Sequence, residues 1–306
     1  MAVDITIIGA DGTRLDVSGR NAGRQGIILA AGQVQGIYDA PITREWSSAA
    51  REIGGRPKGT SYEVRDLILG FHVFGDDDPR GYEWLDSTLR KCFTSEVDKW
   101  DVNEKLCRVY IKSKRDHRVL HVALNDVVNF TPDMDPTEDE YGNPQYPLRA
   151  GQPMWEGKKD VTWWQTASSS GSGFIEVSNP TDRPLLQTWI LTRGTWTIPD
   201  PSWVGPKGAR VLGGEFPTRA LPLAPIDSVH GGARINLDPM KLMVESWTGT
   251  NLLGELAGQR FFMHEIPPYT PKTMLPISVT GAPSGGARAE LHQRRFWSRP
   301  WGLQWR

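Results

Sequence analysis

The side chains able to do chemistry in this chain stand apart from one another. His117 and His121 lie four apart, which puts both on one face of a strand. Arg118 and the basic turn KSKRDHR beside them mark a solvated edge rather than a metal pair. His264-Glu265 opens like a zinc-protease motif, but Ile266-Pro267-Pro268 cannot continue the helix that H-E-x-x-H needs. His230-Gly231-Gly232 has the composition of an oxyanion loop without any G-x-S-x-G elbow to serve. GGRPKGT lacks the spacing and the Lys-Ser/Thr pair of a phosphate-binding loop. Cys92 and Cys107 are too few for a structural zinc site and do not form a Cys-x-x-Cys. Asp133, Asp135, Glu138, Asp139 and Glu140 lack the alternating ligands, central glycine and terminal glutamate of a calcium loop. Nothing selects a glycosidase pair from 36 acids. No catalytic, cofactor-binding or metal-binding residue is assigned, and the chain reads as a non-enzyme without a cofactor.

The most distinctive chemistry lies at the end, in RRFWSRPWGLQWR, where four arginines, three tryptophans and a phenylalanine share residues 294–306. Nucleic-acid binding would need support from other basic surface, and 35 Lys+Arg against 36 Asp+Glu do not supply it. A membrane-surface helix is broken by Pro300 and Gly302. Arginine and tryptophan are enriched at interface centres, and guanidinium groups stack on indoles. Two readings stay open: a tail packed into its own fold, or an interface built from Arg294, Arg295, Trp297, Arg299, Trp301 and Trp305.

The elements behind these residues are mainly strands. DITIIGADGTRLDVSG alternates around Asp11-Gly12, a hairpin signal. A glycine-rich stretch follows. SYEVRDLILGFHVFG then fits a long strand with Tyr62, Val64, Leu67, Leu69, Phe71 and Val73 along it and an irregularity near Asp66. PRGYEWLDSTLRKCF has Tyr82, Leu85, Leu89, Cys92 and Phe93 at helical spacing, so one helix is expected at about 80–93, packed on a sheet. KLCRVYIKS and HRVLHVALND read as two short strands. The stretch TPDMDPTEDEYGNPQYPL reads as a solvated acidic loop, and SSSGSG as a flexible tract. From Gly173 onward, short strands alternate with turns at Asn179-Pro180 and Arg193-Gly194, the pattern of a β-sandwich. The expected organisation is a β domain with one packed helix over 1–150, a linker over 151–172 and a β-sandwich over 173–306. Trp163-Trp164, Trp189, Trp196, Trp203 and Trp247 would serve the sandwich as core packing or as a platform for stacked sugars.

Length and composition bound the rest. A chain of 306 residues fits about two domains. One cysteine pair is not a disulfide scaffold. MAVDITIIGADGTRL has neither a basic n-region nor a long apolar run, and no stretch is apolar enough to span a bilayer, so synthesis and folding in a cytoplasm are expected.

The order of these elements resembles a known family. RDLILGFHVFGDDDPRGYEWLDSTLRKCF is followed by EVSNPTDRPLLQTWILTRGTWTIPD, INLDP, the NLLGELAGQRFFMHEIPPYT run and VTGAPSGGARAELHQRRFWSRPWGL. The chain is similar over nearly its whole length to the siphovirus distal tail proteins (Dit), in particular to minor tail proteins of phages that infect mycobacteria and related actinobacteria. The resemblance implies structural work in the virion: a ring, commonly hexameric, at the distal end of the tail tube, acting as a hub for the tail tip or baseplate. It implies an N-terminal domain that makes the ring and a galectin-like C-terminal sandwich that projects outward. The implied partners are other copies of the chain, the tail tube protein, the tape-measure protein and further baseplate proteins, with no specific nucleic acid and no membrane. The alternative from the residues is a carbohydrate-binding tail protein that reads host cell-wall sugars through its C-terminal sandwich.

Overall fold

The computed structural model describes residues 3–101, 103–256 and 261–305. Residues 257–260 of the NLLGELAGQRFFMHEIPPYT run and Arg306 of the terminal stretch lie outside the described residues. The chain is mainly β and divides into two compact units, Met1–Gly157 with Ser298–Gly302, and Lys158–Trp297 with Leu303–Arg306.

The first unit contains β1 (Asp4–Ile8), β2 (Arg14–Ser18), β3 (Ile27–Gln35), β4 (Thr43–Ser47), β5 (Arg56–Ser61), β6 (Arg65–Phe74), α1 (Gly81–Cys92), β7 (Cys107–Lys112), β8 (His117–Leu124), β9 (Tyr141–Gly142), β10 (Gln145–Ala150) and β11 (Trp155–Glu156). Its main sheet runs in the order β2-β1-β7-β8-β10-β6-β3, antiparallel at each neighbour. The β1–β2 hairpin turns where Asp11-Gly12 foretells it, with Gly12 at φ 85° and the Thr13 amide donating to Asp11 Oδ1 at 2.9 Å. Along β6 the alternating Leu67, Leu69, Phe71 and Val73 all point inward and are buried. Helix α1 buries Tyr82, Leu85, Leu89 and Cys92 and packs against β6, as their helical spacing requires. Its first turn is closed from a distance: Glu140 Oε2 accepts the Tyr82 amide proton at 2.6 Å. One acid of the acidic stretch therefore caps the helix.

Four strand segments escape the sequence pattern. β3 lies in the glycine-rich stretch, and its ladder to β6 is irregular between Leu29 and Val34, with Gly32 at φ 77°. β10 lies at the end of the acidic, proline-rich stretch, with Tyr146 and Leu148 inward. Pro147 is tolerated in it because the β8–β10 ladder spans only Leu148↔Leu124 and Arg149↔Ala123. β4 and β5 form a separate hairpin, every strand residue of which is exposed, so neither face carries an apolar alternation. The stretch read as a linker, 151–172, contains β11 and the strand Asp160–Thr166 of the second unit.

The second unit contains β12 (Asp160–Thr166), β13 (Gly171–Asn179), β14 (Thr188–Thr192), β15 (Thr195–Pro199), β16 (Trp203–Val204), β17 (Val211–Leu212), β18 (Ala220–Pro222), β19 (Gly232–Asn236), β20 (Val244–Ser246), β21 (Thr270–Thr280) and β22 (Ala287–Gln293). A five-stranded sheet, β12-β22-β14-β19-β20, and a four-stranded sheet, β13-β21-β15-β18, share one apolar core. Trp189, Leu191, Ile235 and Leu291 of the first sheet meet Ile175, Val177, Trp196, Ile198, Leu275 and Ile277 of the second. This is a β-sandwich. Two turns shape it. Consecutive strands β14 and β15 belong to different sheets, and Gly194 makes the crossing at φ 141°, where an added Cβ would lie 2.7 Å from Val279 Cγ2. Buried Asn179 ties the Asn-Pro turn, with Nδ2 donating to the carbonyls of Arg183, Ile266 and Pro267 and Oδ1 accepting from Thr181.

Candidate functional site

The terminal stretch is shared between the units: Arg294, Arg295 and Trp297 group with the second, Ser298–Gly302 with the first, and Trp305 with the second. Ser298–Gly302 has no long ladder of its own. It is held by two arginines whose side chains are buried to 98% or more, Arg65 at the start of β6 and Arg118 in β8. Each occupies an inward register position of its strand, in phase with Leu67 and Leu69 or with Leu120 and Val122. The Arg65 guanidinium donates to four backbone carbonyls: Pro153 at 2.7 Å, Gly36 at 3.1 Å, Ile37 at 3.0 Å and Ser298 at 2.9 Å. Burial lowers its pKa to about 10, partly offset by the charge of Asp39, so the group remains a cation at neutral pH. Arg118 donates to Arg299 O at 2.7 Å, Gly302 O at 2.8 Å and Asp116 Oδ1 at 3.0 Å, and Asp116 Oδ2 accepts the Gly302 amide at 3.0 Å. Two buried cations thus take up the orphan carbonyls of a strap that cannot form a ladder. Arg299 pairs with Asp39 at 3.0 Å, and the Trp301 ring meets Tyr38 edge-on at 5.3 Å.

The sequence-assigned interface residues divide by exposure. Arg295 is buried and binds Asp160 Oδ2, Ser178 O and Gln293 Oε1, and Trp297 is also buried. Arg299 and Trp301 are half-buried. Arg294 is exposed, with its guanidinium 4.9 Å above the Phe296 ring. Trp305 is exposed and lies 5.2 Å from Tyr269, against Gly208, where an added Cβ would collide with the indole nitrogen. Arg65 and Asp116 were not singled out from the sequence, and Arg118, read there as marking a solvated edge, is instead buried. The inward parity of Arg65 and Arg118 in strands of otherwise apolar inward residues is the one signal these two leave.

The remaining sequence candidates do not converge. His117 stacks on Tyr110 at 5.5 Å, whereas His121 faces Arg108 across the ladder. His230 binds Asp227 at 3.1 Å, and His264 is held by buried Asp200, whose Oδ1 accepts the His264 amide at 3.0 Å and whose carbonyl lies 2.8 Å from His264 Nδ1. Among the described residues no group of three or more His, Cys, Asp or Glu could hold a metal. Cys92 and Cys107 are free and buried; burial pushes the Cys92 thiol up to about 12 and the Cys107 thiol well above its usual value. No helix among the described residues is long and apolar enough to cross a membrane. The six tryptophans form no common platform. Trp189 and Trp196 are core residues, Trp164 and Trp203 pack against the core, and the exposed Trp163 and Trp247 are overlaid by Arg288 and Arg234.

No family model matches the chain. In sequence it is similar to minor tail protein Gp27 of Mycobacterium phage D29, 23% identical across 98% of both chains. In structure it is similar to the Dit protein of phage SPP1, with a TM-score of 0.58 at 11% identity over 95% of this chain and 98% of that one. It is also similar to a chain of the phage P2 baseplate in its activated conformation with Ca, with a TM-score of 0.51 at 11% identity over 96% and 98%. Over nearly its whole length the chain is thus Dit-like in fold and minor-tail-protein-like in sequence, which bears out the resemblance read from the sequence.

Proposed function

We propose that this chain is a structural subunit of a phage tail, a ring-forming hub at the distal end of the tube on which the tail tip or baseplate assembles. The observation that carries this reading is the end-to-end match. Both units follow SPP1 Dit, described as a paradigm of hub adsorption apparatus, over 95% of this chain and 98% of that one. A function shared through one inserted module would leave the rest of the chain unmatched.

The molecule's own features suit repeated subunit contact. The β4–β5 hairpin has no core of its own yet exposes Ile42, Trp46 and Ile53, and a free two-stranded hairpin is marginal until something packs on it. In this reading the unit within 1–150 makes the ring, and the sandwich within 173–306 is the galectin-like module that projects from it. The exposed parts of Arg294, Arg299, Trp301 and Trp305 are available to a neighbour, while Arg295 and Trp297 hold the stretch in place. The partners are other copies of the chain, the tube and tape-measure proteins and further baseplate proteins. The chain performs no catalytic step and takes no cofactor.

The test is the solution mass by light scattering, with negative-stain imaging of large species. A closed ring of about six copies is expected. A chain that stays monomeric at every concentration, also when mixed with tail tubes, would refute it.

A further inference from the structure

A cavity of about 540 Å³ in the first unit opens on the outer face of β2-β1-β7-β8. Its lining includes Asp4, Arg14, Asp16, Tyr110, Lys112 and His117. Asp16 is internally neutralised by Arg14 at 2.8 Å and accepts a hydrogen bond from the Thr6 hydroxyl at 2.8 Å. Lys112 and His117 are cross-strand partners, and the turn between them carries exposed Lys114 and Arg115. On the same face Arg108 stands opposite Ile8, and its Nε has no partner. Inside the concavity the charges balance, Arg14 against Asp16 and Lys112 opposite Asp4, and the excess of cations lies at its edge, where exposed Lys112 leads into the turn carrying Lys114 and Arg115.

The same unit carries the opposite surface. Asp133, Asp135, Glu138 and Asp139 are exposed in the loop after β8, and none of them makes an ion pair among the described residues. A ring needs two different complementary surfaces on each subunit, one for each neighbour. We propose that the acidic loop 133–139 of one copy docks on the basic turn 112–115 at the edge of this concavity in the next. The inference rests on the ring reading and names its lateral contact. Charge complementarity selects this occupant: four unpaired carboxylates meet three exposed cations, Lys112, Lys114 and Arg115, so closing the contact offsets most of the charge of both sets.

The experiment uses the full-length chain and its mass by light scattering against concentration at low and high salt. Asp133→Lys, Glu138→Lys and Asp139→Lys together form one variant, leaving Asp135 because its carboxylate holds the local turn through Thr137. Lys112→Glu, Lys114→Glu and Arg115→Glu form the other. Each should raise the concentration of half-assembly roughly 100-fold, three attractive contacts having become repulsive. The two variants mixed, or both sets in one chain, should return it to within about tenfold of wild type. Wild-type assembly should weaken as salt rises through the range where the screening length falls from about 10 Å to 3 Å. All substituted side chains are exposed, and unchanged thiol protection of Cys92 and Cys107 verifies the fold. If wild type forms rings and the acidic variant does so equally well, the docking is overturned and the ring stands. Failure of both the mixture and the combined variant to recover overturns it too. A wild type that never self-associates removes the ring reading and the docking together.

Discussion

Replacing Arg65 by methionine keeps the length of the side chain and removes all its donors. Four backbone carbonyls lose their partner in the interior of the first unit. At about 1.5–3 kcal/mol for each hydrogen bond to a charged group, the gross loss is about 6–12 kcal/mol. The mutation also relieves the burial of a cation, which opposes this by several kcal/mol, so a net destabilisation of about 3–4 kcal/mol is expected. A whole-chain melt would blur this over two units. The thiols give a local probe: the chain has two cysteines, both in the first unit, both fully buried and both free. Their raised pKa values keep them unreactive until the unit opens. Under native conditions Arg65→Met should therefore speed thiol labelling about 10²- to 10³-fold, while Arg115→Met, at an exposed turn, leaves it unchanged. Labelling of Arg65→Met at the wild-type rate would refute the view that buried cations hold the strap carbonyls.

Other consequences concern single turns and one carboxylate. Gly194→Ala forces a Cβ onto Val279 at a backbone angle that favours glycine, and should lower the stability of the second unit by about 1–3 kcal/mol, read as the urea midpoint of its tryptophan fluorescence. Asn179→Ala leaves the Arg183, Ile266 and Pro267 carbonyls without that donor and should cost about 2–4 kcal/mol by the same assay, with no change in thiol labelling. For Asp16, burial alone would raise the carboxyl, but hydrogen bonds from Arg14 and Thr6 and the charges of Arg14 and Arg24 outweigh it and hold it below its ordinary value of 3.8. A lowered folded-state pKa contributes stability above 3.8 that is lost as pH falls through the lower folded value. Asp16→Asn should therefore be less stable than wild type at neutral pH, with the gap closing below about pH 4; a gap that stays constant down to pH 2 would contradict this.

The parts of the fold legible in the sequence are those with a period. The β1–β2 hairpin, β6 and α1 each present an alternating or helical row of apolar residues to one core and lie where their patterns put them, except that β6 begins at Arg65 and leaves out Tyr62 and the exposed Val64 that the alternation includes. The sandwich is legible in the same way, through its frequent turns and inward tryptophans. β3 and β10 are masked by the residues that bend them or remove a donor, Gly32 and Pro147. β4 and β5 bury no face and so leave no alternation. The terminal stretch is conspicuous in composition, but its fixation is not. Arg65 and Arg118 reach carbonyls 233 and 184 residues away in sequence, and a backbone carbonyl carries no residue identity that a reader of the sequence could match. The same holds for Glu140, whose role as a helix cap is invisible 58 residues from the helix it closes.

The central claim is that this chain is the hub at the distal end of a tail. The most direct measurement is gold labelling of intact particles that carry it, using antibody raised against the β-sandwich, with the position of the label scored along the tail by electron microscopy. Label confined to the distal end, below the tube, is the expected result. Label along the tube, at the capsid or absent from particles that contain the chain by mass spectrometry would contradict it.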